Sequence, residues 1–293
     1  MSAVPAMAPP REATPRSAAR GPARAASVLG GGVLVLVVGA AVFAPLLAPY
    51  DPLAPVGAPL SAPDDRFRLG TSALGQDLLS QWLYGARVSL TIGFLTAGCS
   101  TLLSATIGVA SATWRRGGGW LLGLIDLFLA IPTVPILVLL VAFLGQTTSS
   151  LVAALALVGW AAFARIVRAQ TIVALRRDHI EASRALGGSG FRLLRFGVWP
   201  EILPILFTKF LLTVRWAILL EATLGLLGLG DPTRVSWGTM LHQAFSYPLL
   251  FVTDAWLWWA APPALAIAVT SLGLAAIGQD LDVWLNPHAA PRA

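Results

Sequence analysis

Apolar residues in this chain gather into long runs separated by short charged stretches, with little of the alternation that marks half-buried strands. A helix that crosses a bilayer needs ~20 mostly apolar residues at ~1.5 Å rise each. Residues 25–50 carry no charge and are too long for the apolar core of a cleaved leader, so they predict a first span that stays in place. Residues 88–114 predict a second, and residues 120–144 a third that is interrupted by Asp126, Pro132 and Pro135. Residues 150–164 open a fourth, which continues as helix into an arginine-rich segment. Residues 207–227 form a fifth, carrying Lys209, Arg215 and Glu221. Residues 255–278 form a sixth, opened by Trp256, Trp258 and Trp259, a cluster suited to a membrane interface. The pattern predicts an all-α integral membrane protein with six transmembrane helices.

Around these spans the chain divides simply. Residues 1–26 are rich in Ala, Pro and Arg and read as a disordered tail; residues 27–48 are the first transmembrane helix. Residues 49–87 form an external loop whose second half, with Leu78, Leu79, Trp82 and Leu83 at helical spacing, reads as an amphipathic helix on the membrane surface or on a partner. Gln76, Asp77 and Trp82 are the residues expected to touch that external partner. Residues 88–278 make a five-helix core with a polar loop at 178–204, and residues 279–293 a C-terminal tail.

Composition agrees. Charged residues are 12% of the chain, about half the usual ~25% of soluble domains. The net charge of +6 does not point to nucleic acid, because the arginines sit at the ends of apolar runs, where they set topology and meet anionic lipid. Arg11, Arg16, Arg20, Arg24, Arg115, Arg116 and the seven arginines from Arg165 to Arg195 fall on one side; Arg66, Arg68, Arg87 and Arg234 fall on the other, beside Asp51, Asp64, Asp65, Asp77, Asp231 and Asp254. By the positive-inside rule both termini and the 178–204 loop are cytoplasmic. The single cysteine, Cys99, excludes an internal disulfide.

The chain has no phosphate-binding Gly-x-x-x-x-Gly-Lys-Ser/Thr loop; its one lysine, Lys209, lies in an apolar run. His179, His242 and His288 lack metal-ligand spacing, so no metal site is expected. Lacking the phosphate loop, the chain cannot cradle nucleotide phosphates in that way. The 178–204 loop reads as a docking surface for another protein, with an amphipathic helix resting on headgroups as the alternative. There Ile180, Ala182, Ala185 and Leu186 recur at helical spacing, with Asp178, Glu181 and Arg184 on other faces. Asp178 is placed to cap or charge the first turn, and Gly187, Gly188 and Gly190 end the helix.

The sequence Glu181-Ala182-Ser183-x3-Gly187, with Pro200 downstream, resembles the EAA loop of ABC importer permeases, whose pattern is Glu-Ala-Ala-x3-Gly-x9-Ile-x-Leu-Pro. Ser183, Gly197 and Trp199 depart from it. The segments LGTSALGQDLLSQWLYGARVSL from Leu69, DLFLAIP from Asp126, EATLGLLGLG from Glu221 and VSWGTM from Val235 resemble one branch, the second permease of dipeptide, oligopeptide and nickel importers. Near the C-terminus Gly278-Gln279-Asp280-Leu281-Asp282 lacks the arginine of the family's Gly-Asp-Gly-Leu-Arg-Asp.

The resemblance implies a type I, MetI-like permease fold and no catalytic residue on this chain. It implies a homologous second permease forming a heterodimer, two cytoplasmic ATPase subunits that hold the ATP and Mg, and an external solute-binding protein, all in the bacterial inner membrane. Asp178, Glu181, Ala182, Ser183, Arg184, Ala185, Leu186, Gly187 and Pro200 would form the coupling site, with Ala182, Ala185 and Leu186 as its packed face and Glu181 and Arg184 as a charged rim.

Charges inside spans are functional candidates. Asp126 and Arg215 lie at similar depth, ~10–12 Å from the inner end, and are expected to pair, to line the solute path, or to snorkel. Glu221 is expected to line the outer path or to cap a neighbouring helix. A lone ion- or proton-coupled carrier using these three groups is the alternative reading, and a non-transporting scaffold a third.

Overall fold

The computed structural model describes residues 20–285, and all of the regular structure in them is helical. The first helix, α1 (Arg20–Val42), is followed by the short α2 (Ala44–Leu47). An irregular collar, residues 49–77, leads into α3 (Leu78–Thr113), and α4 (Gly118–Ala130) and α5 (Thr133–Leu144) follow. Next come α6 (Thr148–Leu175) and the eight-residue α7 (Asp178–Ala185). The one-turn α8 (Gly190–Arg192) opens into a wide π turn, Leu193–Val198, that feeds α9 (Trp199–Leu224). A second π turn, Gly225–Leu229, precedes α10 (Trp237–Phe245), α11 (Ala255–Trp259) and α12 (Ala261–Leu285).

The helices α3, α6 and α12 and the continuous run Gly190–Leu229 are each long and apolar enough to cross a membrane; α4 and α5 together make a pair bent by 92°, and Ser27–Val42 is a shorter apolar helix. These are the six apolar segments of the sequence. Helix α3 is the hub: it packs on α6, α9 and α1, while α12 packs on α1 and α9. Small residues permit this closeness. A Cβ added to Gly30 of α1 would lie 3.0 Å from the Gly273 Cα of α12, so the two backbones touch, as membrane helices with small residues at their interface do.

Three expectations change. Residues 78–87 are not a separate amphipathic helix: Asp77 caps α3, its Oδ2 accepting from the Ser80 amide at 2.8 Å, and the helix runs unbroken for 36 residues. At ~1.5 Å per residue α3 is ~54 Å long against a hydrocarbon core of ~30 Å, so its first turns stand in the collar. Residues 20–26, expected as tail, are the start of α1, and residues 279–285, also expected as tail, end α12; residues 1–19 and 286–293 lie outside the described residues. The third span is a sharp elbow, because Pro132 donates no amide and disfavours helix at Ile131 before it, while Pro135 sits in the first turn of α5.

Candidate functional site

At the arginine-rich end of the bundle, α7 stands off the main body on a narrow base. Asp178 and Glu181 occupy its first turn and Arg184 its last, the arrangement the helix dipole favours. Gly187 ends it with φ +84°, where a side chain would be strained, and the Gly188 amide donates to the Ser183 carbonyl at 2.9 Å. One residue fixes α7 from below. Ile180 is buried, and a Cβ at Gly197 would lie 2.7 Å from its Cδ1, so Gly197 is the socket for Ile180. The family's isoleucine at that position would fill the socket, which is the physical reason for the departure at Gly197. Trp199, the other departure, packs half-buried in the cluster of Ile180, Val198 and Ile202.

The base is also clamped by charge. Glu201, in the first turn of α9, pairs with Arg177 Nε at 3.0 Å, and the His179 ring lies nearby with Nε2 at 3.7 Å. Sequence reasoning missed Glu201, Ile180 as anchor, and Phe191 and Phe196 as surface; only the return of the chain through the π turn brings them beneath or beside α7. Pro200 follows directly on the π turn, at the second residue of α9, inside the continuous run Gly190–Leu229.

What remains of α7 faces outward. Glu181, Ala182, Arg184 and Ala185 are exposed, Leu186 is 89% exposed, and Phe191 and Phe196 in the turns that follow are 73% and 69% exposed. Glu181 and Arg184 have no ion pair among the described residues. Apolar and charged groups are thus interspersed on a small exposed helix.

The charged groups within the spans sort differently from expectation. Asp126 does not meet Arg215. It pairs with Arg165 at 3.4 Å, both side chains about half exposed, because α4 lies against α6. Arg215 on α9 is half-buried with its Nε unpartnered. Glu221 is buried and accepts from the Ser89 hydroxyl at 2.9 Å; Ser89 in turn accepts from the Trp237 amide at 3.3 Å at the start of α10. Through Ser89, Glu221 is thus linked to the N-terminus of α10.

Gln76, Asp77 and Trp82 are internal braces rather than a partner-contact surface. Gln76 donates to the Leu53 carbonyl at 2.9 Å and accepts from Gln81 at 2.7 Å, and Asp77 is the buried cap of α3. Trp82 Nε1 donates to the Pro262 carbonyl at 3.1 Å, with its ring against Trp237. Among the described residues no group of His, Cys, Asp and Glu gathers as a metal site.

The helices long and apolar enough to span a bilayer make the chain a polytopic membrane protein with one exposed short helix at its basic end. Comparison with known proteins makes this specific. Residues 100–290 match the family model described as "Binding-protein-dependent transport system inner membrane component", and the chain belongs to that family. It is 37% identical over 268 residues, covering 88% of this chain and 87% of the relative, to "Di/tripeptide transport system permease protein DppC" of Pseudomonas aeruginosa (strain UCBPP-PA14). It is 33% identical over 270 residues, 89% and 88% of the two chains, to "Dipeptide transport system permease protein DppC" of Escherichia coli (strain K12).

Among solved structures, a chain of the inward-facing MetNI methionine ABC transporter matches with TM-score 0.50 at 20% identity, over 66% of this chain and 98% of that one. An amino acid ABC transporter with histidines matches with TM-score 0.50 at 18% identity, over 72% and 98%. These two show the fold alone, the MetI-like permease bundle. The chain is a multi-pass inner-membrane permease of an ABC importer.

Proposed function

We propose that this permease passes di- or oligopeptides across the cytoplasmic membrane and that α7 is its coupling helix, seated in a groove of a cytoplasmic ATPase subunit. The observation that carries the coupling role is α7 itself: its base is fixed by Ile180, Gly197 and Glu201, while Leu186 is exposed and Glu181 and Arg184 have no ion pair among the described residues. A push on such a helix moves α6 and α9 together, since α7 is tied to the end of one and the start of the other. The peptide substrate is supported by the names of the relatives, and the termini are read as cytoplasmic from the arginine bias. A homologous second permease, two ATPase subunits holding ATP and Mg, and an external solute-binding protein complete the machine.

The test is Glu181→Lys in the assembled importer, followed by co-purification of the ATPase and ATP-dependent uptake of a labelled dipeptide in vesicles. Loss of both, with the variant still membrane-inserted and pairing with the second permease, is expected. Normal ATPase retention and uptake would refute the coupling assignment. Uptake by this chain without any ATPase would instead support the ion-coupled carrier.

A further inference from the structure

At the collar end, α3, α6 and the loop before α10 surround a cavity of about 320 Å³ lined by Tyr84, Arg87, Thr91, Thr148, Thr233 and Arg234. Thr91, Thr148, Thr233 and Arg234 also line a larger groove of about 760 Å³, which descends between α3 and α6 past Leu95 and Val152. The two spaces therefore adjoin, the upper bordered by both arginines and the lower lined mostly by apolar residues.

Arg87 and Arg234 come from different elements, α3 and the loop, yet both line the upper cavity; both are exposed, and neither has an ion pair or side-chain hydrogen bond among the described residues. The neighbouring carboxylate, Asp231, does not answer them. Its Oδ2 accepts from the Thr148 amide and hydroxyl at 2.9 and 2.8 Å, and its Oδ1 from the Thr233 amide and hydroxyl at 3.0 and 2.6 Å. Two unpaired guanidiniums over an apolar groove select an anion with an apolar body, and the planar fork of arginine matches a carboxylate in particular.

We propose that Arg87 and Arg234 form an outer vestibule that takes the terminal carboxylate of the incoming solute, with its apolar side chains lying in the α3–α6 groove. This deepens the importer reading and rests on it for the identity of the solute. A lipid headgroup phosphate offers a similar pair of anionic oxygens, so the test separates the two.

The probe is the complete importer in vesicles with Cys99→Ala and Thr91→Cys, the new thiol reporting on both cavities. Its rates of modification by an anionic and by a cationic thiol reagent are compared. Focusing by two unpaired cations predicts roughly tenfold faster reaction with the anionic reagent, and a ratio near one in the added Arg87→Gln, Arg234→Gln pair. A short peptide with a free C-terminus slows the modification, and its C-terminal amide does not.

Equal rates for the two reagents before the arginines are changed would overturn the vestibule, as would equal protection by the amide. A charge preference abolished by anionic lipid and untouched by peptide would assign the arginines to headgroups and overturn it too. Failure of the importer reading shows elsewhere: ATP-dependent peptide uptake is absent while the charge preference and carboxylate protection persist.

Discussion

The two ends of this bundle satisfy their polar and apolar groups in opposite ways. At the collar end, Gln76, Gln81 and Asp77 hydrogen-bond to one another's segments, Glu221 and Ser89 brace α10, and Trp237 is wholly buried. At the arginine-rich end, α7 buries Ile180 and little else, and leaves Leu186, Phe191 and Phe196 open. Buried polar groups must find partners within the chain, whereas exposed apolar groups on a small helix wait for partners outside it. The first end is built to hold its shape and the second to be held.

The contrast breaks most sharply by truncation. Trp237→Ala should cost about 3–5 kcal/mol, the range for a large buried aromatic, and show as loss of folded protein in detergent thermal unfolding. Leu186→Ala with Phe196→Ala should change unfolding by less than ~0.5 kcal/mol per site, as surface substitutions do, yet release the ATPase on co-purification. If both changes destabilise equally, the two ends are not different in kind.

A size exchange tests the base of α7. Gly197→Ile restores the family residue but collides with Ile180, and overpacking of this sort costs about 1–3 kcal/mol. Adding Ile180→Ala should recover most of the loss in the same assay; no recovery would mean that Gly197 is needed for the backbone of the π turn instead.

The corrected ion pair gives a smaller effect. A double-mutant cycle on Asp126→Asn and Arg165→Gln should report a coupling of ~0.2–1 kcal/mol, because both groups are about half exposed. The same cycle between Asp126 and Arg215 should report none.

The smallest effect lies on the acid side of the collar. Burial opposes ionisation of Asp231, but hydrogen bonds from Thr233 and Thr148 outweigh it and hold the carboxyl below its ordinary 3.8. A depressed folded value means the stabilisation is complete above the ordinary value and is lost as pH falls through the folded one. Thermal unfolding followed from pH 6 toward pH ~3 should therefore fall less steeply in Asp231→Asn than in the parent chain.

The sequence by itself determined the membrane class, the six apolar segments, the continuation of the fourth span into the arginine-rich stretch, and the short helix ending at Gly187. Hydrophobic length, proline and glycine are local signals, and local signals survive without a fold. The tertiary structure alone decided partners. Asp126 meets Arg165 rather than Arg215 because α4 lies on α6, a choice that equal depth along two helices does not encode. Gln76 turned inward because residues 49–77 fold over the start of α3 and offer it the Leu53 carbonyl. Asp77 did so because its carboxylate accepts from Ser80 in the first turn of α3, and Trp82 because α12 brings it the Pro262 carbonyl. Glu221 and Glu201 follow the same rule: which group satisfies a charge depends on the helix that packs beside it, and that is set by the whole bundle.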